Sequence, residues 1–598
     1  MSPSLAELPV ELLDQIVGHF ETARALARFS LTCKRLHEYV EKDGFRAFVH
    51  GSFPSIQTPL YWKDAAHALT TLSKAWDRKA LVARYIYPEK DVIQLPRRQG
   101  HLPLTGPHRE QTMGYRPVMD CYEDVTGSSW MSRKEVLAWG AGAELIVRVK
   151  SMGKDTERAW HCSSKDVRAT EYDQFRHRNK WIRYKEDSRR DGREDITSVN
   201  ILRPWQKPTD DTEHVIIGRA SGELVCVSLA TQSRTLKHFV TEGRPVGSTD
   251  VSSTPEPILA ACLSNDTVAV YPVNSESPAA NPCAEVEVTP PSTISRTWTT
   301  RFLNPNRLAV GIGPCPSPIL VYDIPNPRAP IRRFTIPQDH STFDPRQKSP
   351  PTSSVYAIAP LGPSLQASGS GGDLFLSGWY DGAVMLHDLR SPAFTTGKYL
   401  DPIDTYSAIY SILPIGRERI VVGSSRHSVI KVFDLRMTGG RVYFAANTEA
   451  RKSQAIYNKA CGRSSKCSCC PCIVKPKPNP GNYNVFLQKQ SRGRESPVYA
   501  LASGAAYSPR IYAGLEGKVM QLDIVSMMDH FPDPTFGGSN WGGSRHRGTR
   551  VKDRYDPDRR VLRLAALEHT ETGDMKIRNQ VEVGKKGGTL AGWDERWI

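Results

Sequence analysis

Residues 374–390 read LFLSGWYDGAVMLHDLR. Leu374, Leu376 and their neighbours form one strand. Trp379-Tyr380-Asp381-Gly382 makes a tight turn, which Asp and Gly suit because Gly accepts a positive φ. Ala383 to Leu386 returns as a second strand and closes on His387-Asp388-Leu389. Six further stretches follow this grammar: EVLAWGAGAELIVRVKS (135–151), HVIIGRASGELVCVSLA (214–230), ILAACLSNDTVAVYPV (258–273), RLAVGIGPCPSPILVYDI (307–324), RIVVGSSRHSVIKVFDLR (419–436) and RIYAGLEGKVMQLDI (510–524). Upstream of several lies another apolar strand, as in Val355-Tyr356-Ala357-Ile358, Ile409-Tyr410-Ser411-Ile412 and Val498-Tyr499-Ala500-Leu501.

With inserts removed, the spacing matches a four-stranded unit of about 40–45 residues. One such sheet exposes both faces and cannot bury them alone. Stacking sheets in a closed ring buries the faces and leaves only short edges. The repeats therefore predict a seven-bladed β-propeller with long inserts over residues 117–569. An open β-solenoid or a pair of β-sandwiches is the alternative. Ring closure calls for a late strand, and Val561-Leu562-Arg563-Leu564-Ala565-Ala566-Leu567 is the candidate.

The units resemble the WD-repeat family. The Tyr-Asp, His-Asp and Phe-Asp pairs at 322–323, 387–388 and 433–434 stand at the Trp-Asp position, and Asp381 at the turn aspartate. No unit ends in Trp-Asp, and the Gly-His pair is missing.

Upstream of the repeats the chain changes character. Leu12, Leu13, Ile16, Val17 and Phe20 recur at helical spacing behind Leu8-Pro9, and Pro is tolerated in a first turn. Leu26 and Phe29 follow, then Leu31, Leu36 and Val40. Forty-odd residues bury too little surface to be comfortably stable alone, so part of the apolar surface calls for a partner. LPVELLDQIVGHF followed by LARFSLTCKRLHEYV resembles an F-box over residues 4–48, although Leu36-His37 stands where many members have Trp. The resemblance implies docking on a Skp-type adaptor, and through it a cullin–RING ligase, by Leu8, Pro9, Leu12, Ile16, Leu31 and Leu36. Residues 49–116 are expected to be a helical linker and loop, with a helical stretch over 59–87. Residues 570–598 are left as a C-terminal tail. The fold class is thus α+β multidomain, a small helical F-box with linker helices ahead of an all-β propeller.

F-box followed by WD-repeat propeller is a known family architecture. It implies a substrate receptor of an SCF-type ubiquitin ligase, with the propeller holding a target protein. Propellers present the face made of b–c turns and d–a loops, so Arg219, Trp379, Tyr380, Ser425, Arg426 and Leu515 are the target-binding candidates. Arg grips carboxylate or phosphate and aromatics anchor interfaces, which suits an acidic or phosphorylated target segment.

The net charge of +16 permits acidic partners without choosing among them. Two basic inserts are expected, at about 155–194 and 440–495. The run from Arg176 to Lys185 interleaves cations with Trp181 and Tyr184, as a single-strand nucleic-acid binder would. A solvated excursion is the simpler reading, and a WD-repeat scaffold that binds nucleic acid is the alternative function. Cys461, Cys467, Cys469 and Cys472 are weak candidates for zinc, because the spacing is not that of paired CxxC motifs. No cofactor is expected. No phosphate loop, HExxH or GxSxG is present, so an enzyme is not expected. No apolar run reaches the length of a membrane span, and the scattered cysteines suit a reducing compartment. Cytoplasm or nucleus is the expected location.

Overall fold

The computed structural model describes residues 5–582 and 593–597, apart from 54–55, 57–60, 89–91, 96–113, 187–191, 208–211, 231–235, 289–294, 325–329, 339–351, 363–370, 402–403, 405–406, 417–418, 436–482, 488–494, 527–531, 538–560, 570–574 and positions 128, 265, 276 and 563. Seven sheets, each built on four antiparallel strands, form a closed seven-bladed β-propeller, with Val92–Leu95 and Ala279–Ala280 added parallel at the outer edges of two of them. All seven hairpins read from the sequence are the b and c strands of a blade. In blade five, Val355–Pro360, Leu374–Trp379, Val384–Asp388 and Thr395–Tyr399 run a to d from the centre outward. The inner strands touch in succession, and the last, Val498–Ala502, returns to the first, Met119–Val125, where Glu123 N donates to Gly504 O at 2.9 Å.

Strand period explains why the blades stack. Ile511, Ala513 and Leu515 face blade six, whereas Tyr512 faces blade one. In blade one, Leu137 and Trp139 face blade seven, and Val136 and Ala138 face blade two. Successive side chains point to opposite faces, and in a ring both faces are interior. Among the described residues, each of the seven blade junctions holds its own apolar cluster. Glycine near the end of strand b lets the next blade approach. A Cβ on Gly378 would lie 2.7 Å from Ile409, and one on Gly423 2.7 Å from the Val498 carbonyl.

The ring does not close as the sequence suggested. After helices α1 (Val10–Gly18), α2 (Ala23–Ser30), α3 (Lys34–Tyr39), α4 (Phe45–Ser52) and α5 (Trp62–Asp77), the chain enters strand β1 (Val82–Ile86). Strand β1 pairs antiparallel with Lys518–Asp523 and is the outer strand of blade seven. Val561–Leu562 adds only to the outer edge of β1, and Ala565–His569 adds to Tyr483–Phe486 of blade six. Met575–Glu582 and Trp593–Trp597 extend that blade further outward, so the tail carries strands. The expected helix over 59–87 stops at Asp77, and Leu81 and Tyr85 belong to the closing segment.

The run from Arg176 also differs from its reading. Arg178–Tyr184 is the d strand of blade one, and Trp181 and Tyr184 are 5% and 2% exposed. Their rings fill blade junctions, so they offer no stacking surface to a nucleic acid. Among the described residues there, the short helices Lys154–Cys162 and Lys165–Glu171 form an excursion, and neither has a buried residue.

Among the described residues no helix is long and apolar enough to cross a membrane.

Candidate functional site: an apolar helical unit and an aromatic arc on opposite faces

The five helices share one core. Leu13 and Val17 of α1, Leu26 of α2, Leu36 and Tyr39 of α3, Phe48 of α4 and Leu69 of α5 are buried together. Thr22 caps α2 by accepting from Ala25 N at 3.1 Å, and Tyr39 donates to Asp14 at 2.7 Å. This core includes Trp130, from the a–b turn of blade one, whose ring lies 5.3 Å from Tyr507 of the matching turn in blade seven. Arg133 sits over both rings, at 4.1 and 4.8 Å. At its C-terminal end α5 packs against blades six and seven through Leu72, Ala75 and Trp76. Arg419 of blade six pairs with Asp77. The helical unit therefore rests on the a–b face of the ring.

Six residues of this unit were expected to meet an adaptor. Pro9, Leu12 and Leu31 are exposed, Leu12 by 44% and Leu31 by 81%. Leu8 and Ile16 are half-buried, and Leu8 packs partly on the helical core. Leu36 is 3% exposed and belongs to that core, which corrects its assignment to an outer surface. Periodicity marks apolar stripes but does not say which stripe turns inward. Leu5 and Val10 of the same unit are also exposed.

The opposite face carries the turns chosen as target-binding candidates. Tyr380 is 62% exposed, Arg426 is exposed and Ser425 is half-buried. The other three lie within the ring. Trp379 and Leu515 are fully buried, and Trp379 donates to Ser377 Oγ at 2.7 Å. Arg219 is buried, donates to the Ala143 and Glu194 carbonyls at 3.0 and 2.9 Å, and pairs with Glu223 at 2.9 Å. Each is the last residue of strand b, still between blades; the next residue reaches solvent.

A second set of residues on this face was not singled out. Strand a carries a bulge at its start in six blades, where one residue has no partner opposite on strand b. That residue is Thr197, Gly247, Trp298, Tyr356, Tyr410 and Tyr499 in blades two to seven. Bulges re-aim side chains. In blades four to seven the re-aimed residue is aromatic, half-buried, and in contact with the next. Trp298 lies 4.8 Å from Tyr356, Tyr356 lies 5.4 Å from Tyr410, and Tyr410 stacks on Tyr499 at 6.2 Å. Tyr380 joins at 6.4 Å from Tyr356.

Arg296 caps one end of this arc, 4.8 Å over Trp298, and Arg116 the other, 5.7 Å over Tyr499. Both arginines are exposed. Burial, and the neighbouring Tyr410 phenol, push the Tyr356 hydroxyl above its ordinary value. Burial does the same at Tyr499, against the opposing pull of Arg116. Both remain neutral phenols at physiological pH. The repeated Val-Tyr and Ile-Tyr pairs at 355–356, 409–410 and 498–499 were the sequence signal for this arc.

Strand b joins the two faces. Six residues at about 3.4 Å each put them roughly 20 Å apart.

The zinc candidates Cys461, Cys467, Cys469 and Cys472 lie outside the described residues. No group of His, Cys, Asp and Glu able to hold a metal is found among the described residues. No family model matches the chain, and a search of curated proteins finds no relative.

Proposed function

We propose that this chain is the substrate-recognition subunit of an SCF-type ubiquitin ligase. In this reading the helical unit is an F-box that binds a Skp-type adaptor, and the propeller binds the target protein. The receptor makes no bond itself. It holds a target lysine near the charged ubiquitin carrier, which turns a bimolecular encounter into a nearly intramolecular one. Its place is the cytoplasm or nucleus.

One observation carries this reading. Eight large apolar side chains are exposed among the described residues, and four of them, Leu5, Val10, Leu12 and Leu31, fall within residues 5–31. That half of them fall on one small unit supports an interaction surface there. Burying even ~400 Å² of such surface offers a gross ~10 kcal/mol at about 25 cal/mol per Å², part of which association costs remove. The separation of this unit from the aromatic arc supports the same reading, because one protein can hold the adaptor while another occupies the arc.

The test is co-expression of the full chain with a Skp-type adaptor, beside a Leu12→Asp variant. One-to-one co-purification that the variant loses supports the receptor. A folded wild-type chain that leaves the adaptor unbound leaves a WD-repeat scaffold instead.

A further inference from the structure

The aromatic arc and its two arginines together define a ligand chemistry. We propose that the arc holds an extended, unphosphorylated segment of the target, with proline or aliphatic side chains on the rings and a carboxylate at each end. This rests on the receptor reading for its biological role, but not for the binding itself.

The length comes from the ring spacing. Three steps of 4.8, 5.4 and 6.2 Å are spanned by about five residues of extended chain at roughly 3.3–3.6 Å each. The apolar centre follows from Tyr356 and Tyr410, two half-buried rings in contact at 5.4 Å. Aromatic-lined grooves take preformed, proline-rich extended segments at low entropy cost.

The acidic ends follow from Arg296 and Arg116. Each is exposed over an aromatic ring, and neither has a carboxylate partner among the described residues. One guanidinium satisfies one carboxylate through two parallel hydrogen bonds. A phosphate dianion gains most where several cations converge, and here the two arginines stand at opposite ends of the arc. The arrangement therefore selects separated carboxylates over a phosphate.

Fluorescence anisotropy on the full chain tests this with three labelled peptides. All share the core Pro-Leu-Pro-Leu, flanked on both sides by Glu, by Lys or by phosphoserine. The Glu-flanked peptide is expected to bind saturably, and the Lys-flanked one at least about fivefold more weakly. Tyr410→Ala is expected to weaken the Glu-flanked peptide by about fivefold or more, the scale of one lost ring contact. Arg296→Glu, at an exposed position, is expected to do the same. The proposal is overturned by no saturation up to about 1 mM, by equal binding of the Lys-flanked peptide, by clearly tighter binding of the phosphoserine peptide, or by unchanged binding to both variants. Adaptor binding is measured on the same preparations. Peptide binding without adaptor binding sinks the receptor and spares the arc, and the reverse result sinks the arc alone.

Discussion

Ala83 pairs with Leu522, and through that pairing a residue near the start of the chain completes the last blade. Strand β1 follows α5 after only four residues. The helical unit is thus continuous with the strand that locks the ring. A fragment starting at residue 117 keeps every hairpin but lacks the lock, and blade seven then exposes an unpaired edge. A fragment starting at residue 62 keeps it. In thermal melts followed by circular dichroism, the longer fragment is expected to unfold in one cooperative transition. The shorter is expected to aggregate or to melt without cooperativity. Equal melts would show that Val82–Ile86 is dispensable.

Trp130 couples the helical unit to the ring. It is 2% exposed and sits in the helical core although it belongs to a blade-one turn. Trp130→Ala is expected to cost about 3–5 kcal/mol, the usual range for deleting a buried aromatic. In hydrogen exchange, amides of α1–α5 should lose protection while those of blades three to five keep it. Uniform loss over the whole chain would mean that the helices and ring do not separate in this way.

His387 makes the fold sensitive to acid. It is fully buried, lies 2.7 Å from Ser377 Oγ, and stacks on Phe375 at 4.8 Å. Burial pushes its pKa down to about 3, below the 6.5 of an unfolded histidine. The unfolded chain therefore binds a proton that the folded chain refuses. This site's contribution to stability is fully present above pH 6.5 and is lost as pH falls toward 3, by up to about 1.4 kcal/mol per unit. Urea midpoints at pH 7 and pH 5 measure the loss, and His387→Gln should shrink it. An undiminished loss in the variant would place the acid sensitivity elsewhere.

Lys150 acts at higher pH. It is buried at the junction of blades seven and one, 3.9 Å from Glu135 and 3.8 Å from Asp173. Burial first, then the Arg148 and Arg510 guanidiniums, outweigh these carboxylates and push its pKa down to about 7. Its unfolded value is near 10.4, so between these values the unfolded chain holds the extra proton. Stability is expected to rise with pH from about 7 toward 9. In Lys150→Met that rise should flatten, as read from urea midpoints across the window. An unchanged slope would contradict the assignment.

The sequence and the structure agree where a signal is local. Each b–c hairpin carries its own alternation and turn, so Leu374–Trp379 and Val384–Asp388 were legible. Strand β1 was not. Leu81 and Tyr85 sit at a spacing that suits a helix as well as a strand, and the partner strand is at the far end of the chain. Trp181 and Tyr184 misled for a related reason: cations beside aromatics look like a binding surface until the neighbouring blades cover the rings. The arc was half legible, since Tyr356, Tyr410 and Tyr499 recur at one position in their blades, but a bulge shows itself only in the pairing of two strands.

Leu31 offers the most direct test of the receptor reading. It is 81% exposed at the end of α2, so changing it does not disturb the helical core. Calorimetric titration of a purified Skp-type adaptor into the wild-type chain and into Leu31→Asp is the measurement. The account predicts one-to-one binding to the wild type and at least about tenfold weaker binding to the variant, a loss of roughly 1.4 kcal/mol or more. Absence of heat with the folded wild type, or equal affinity for the two proteins, would contradict it.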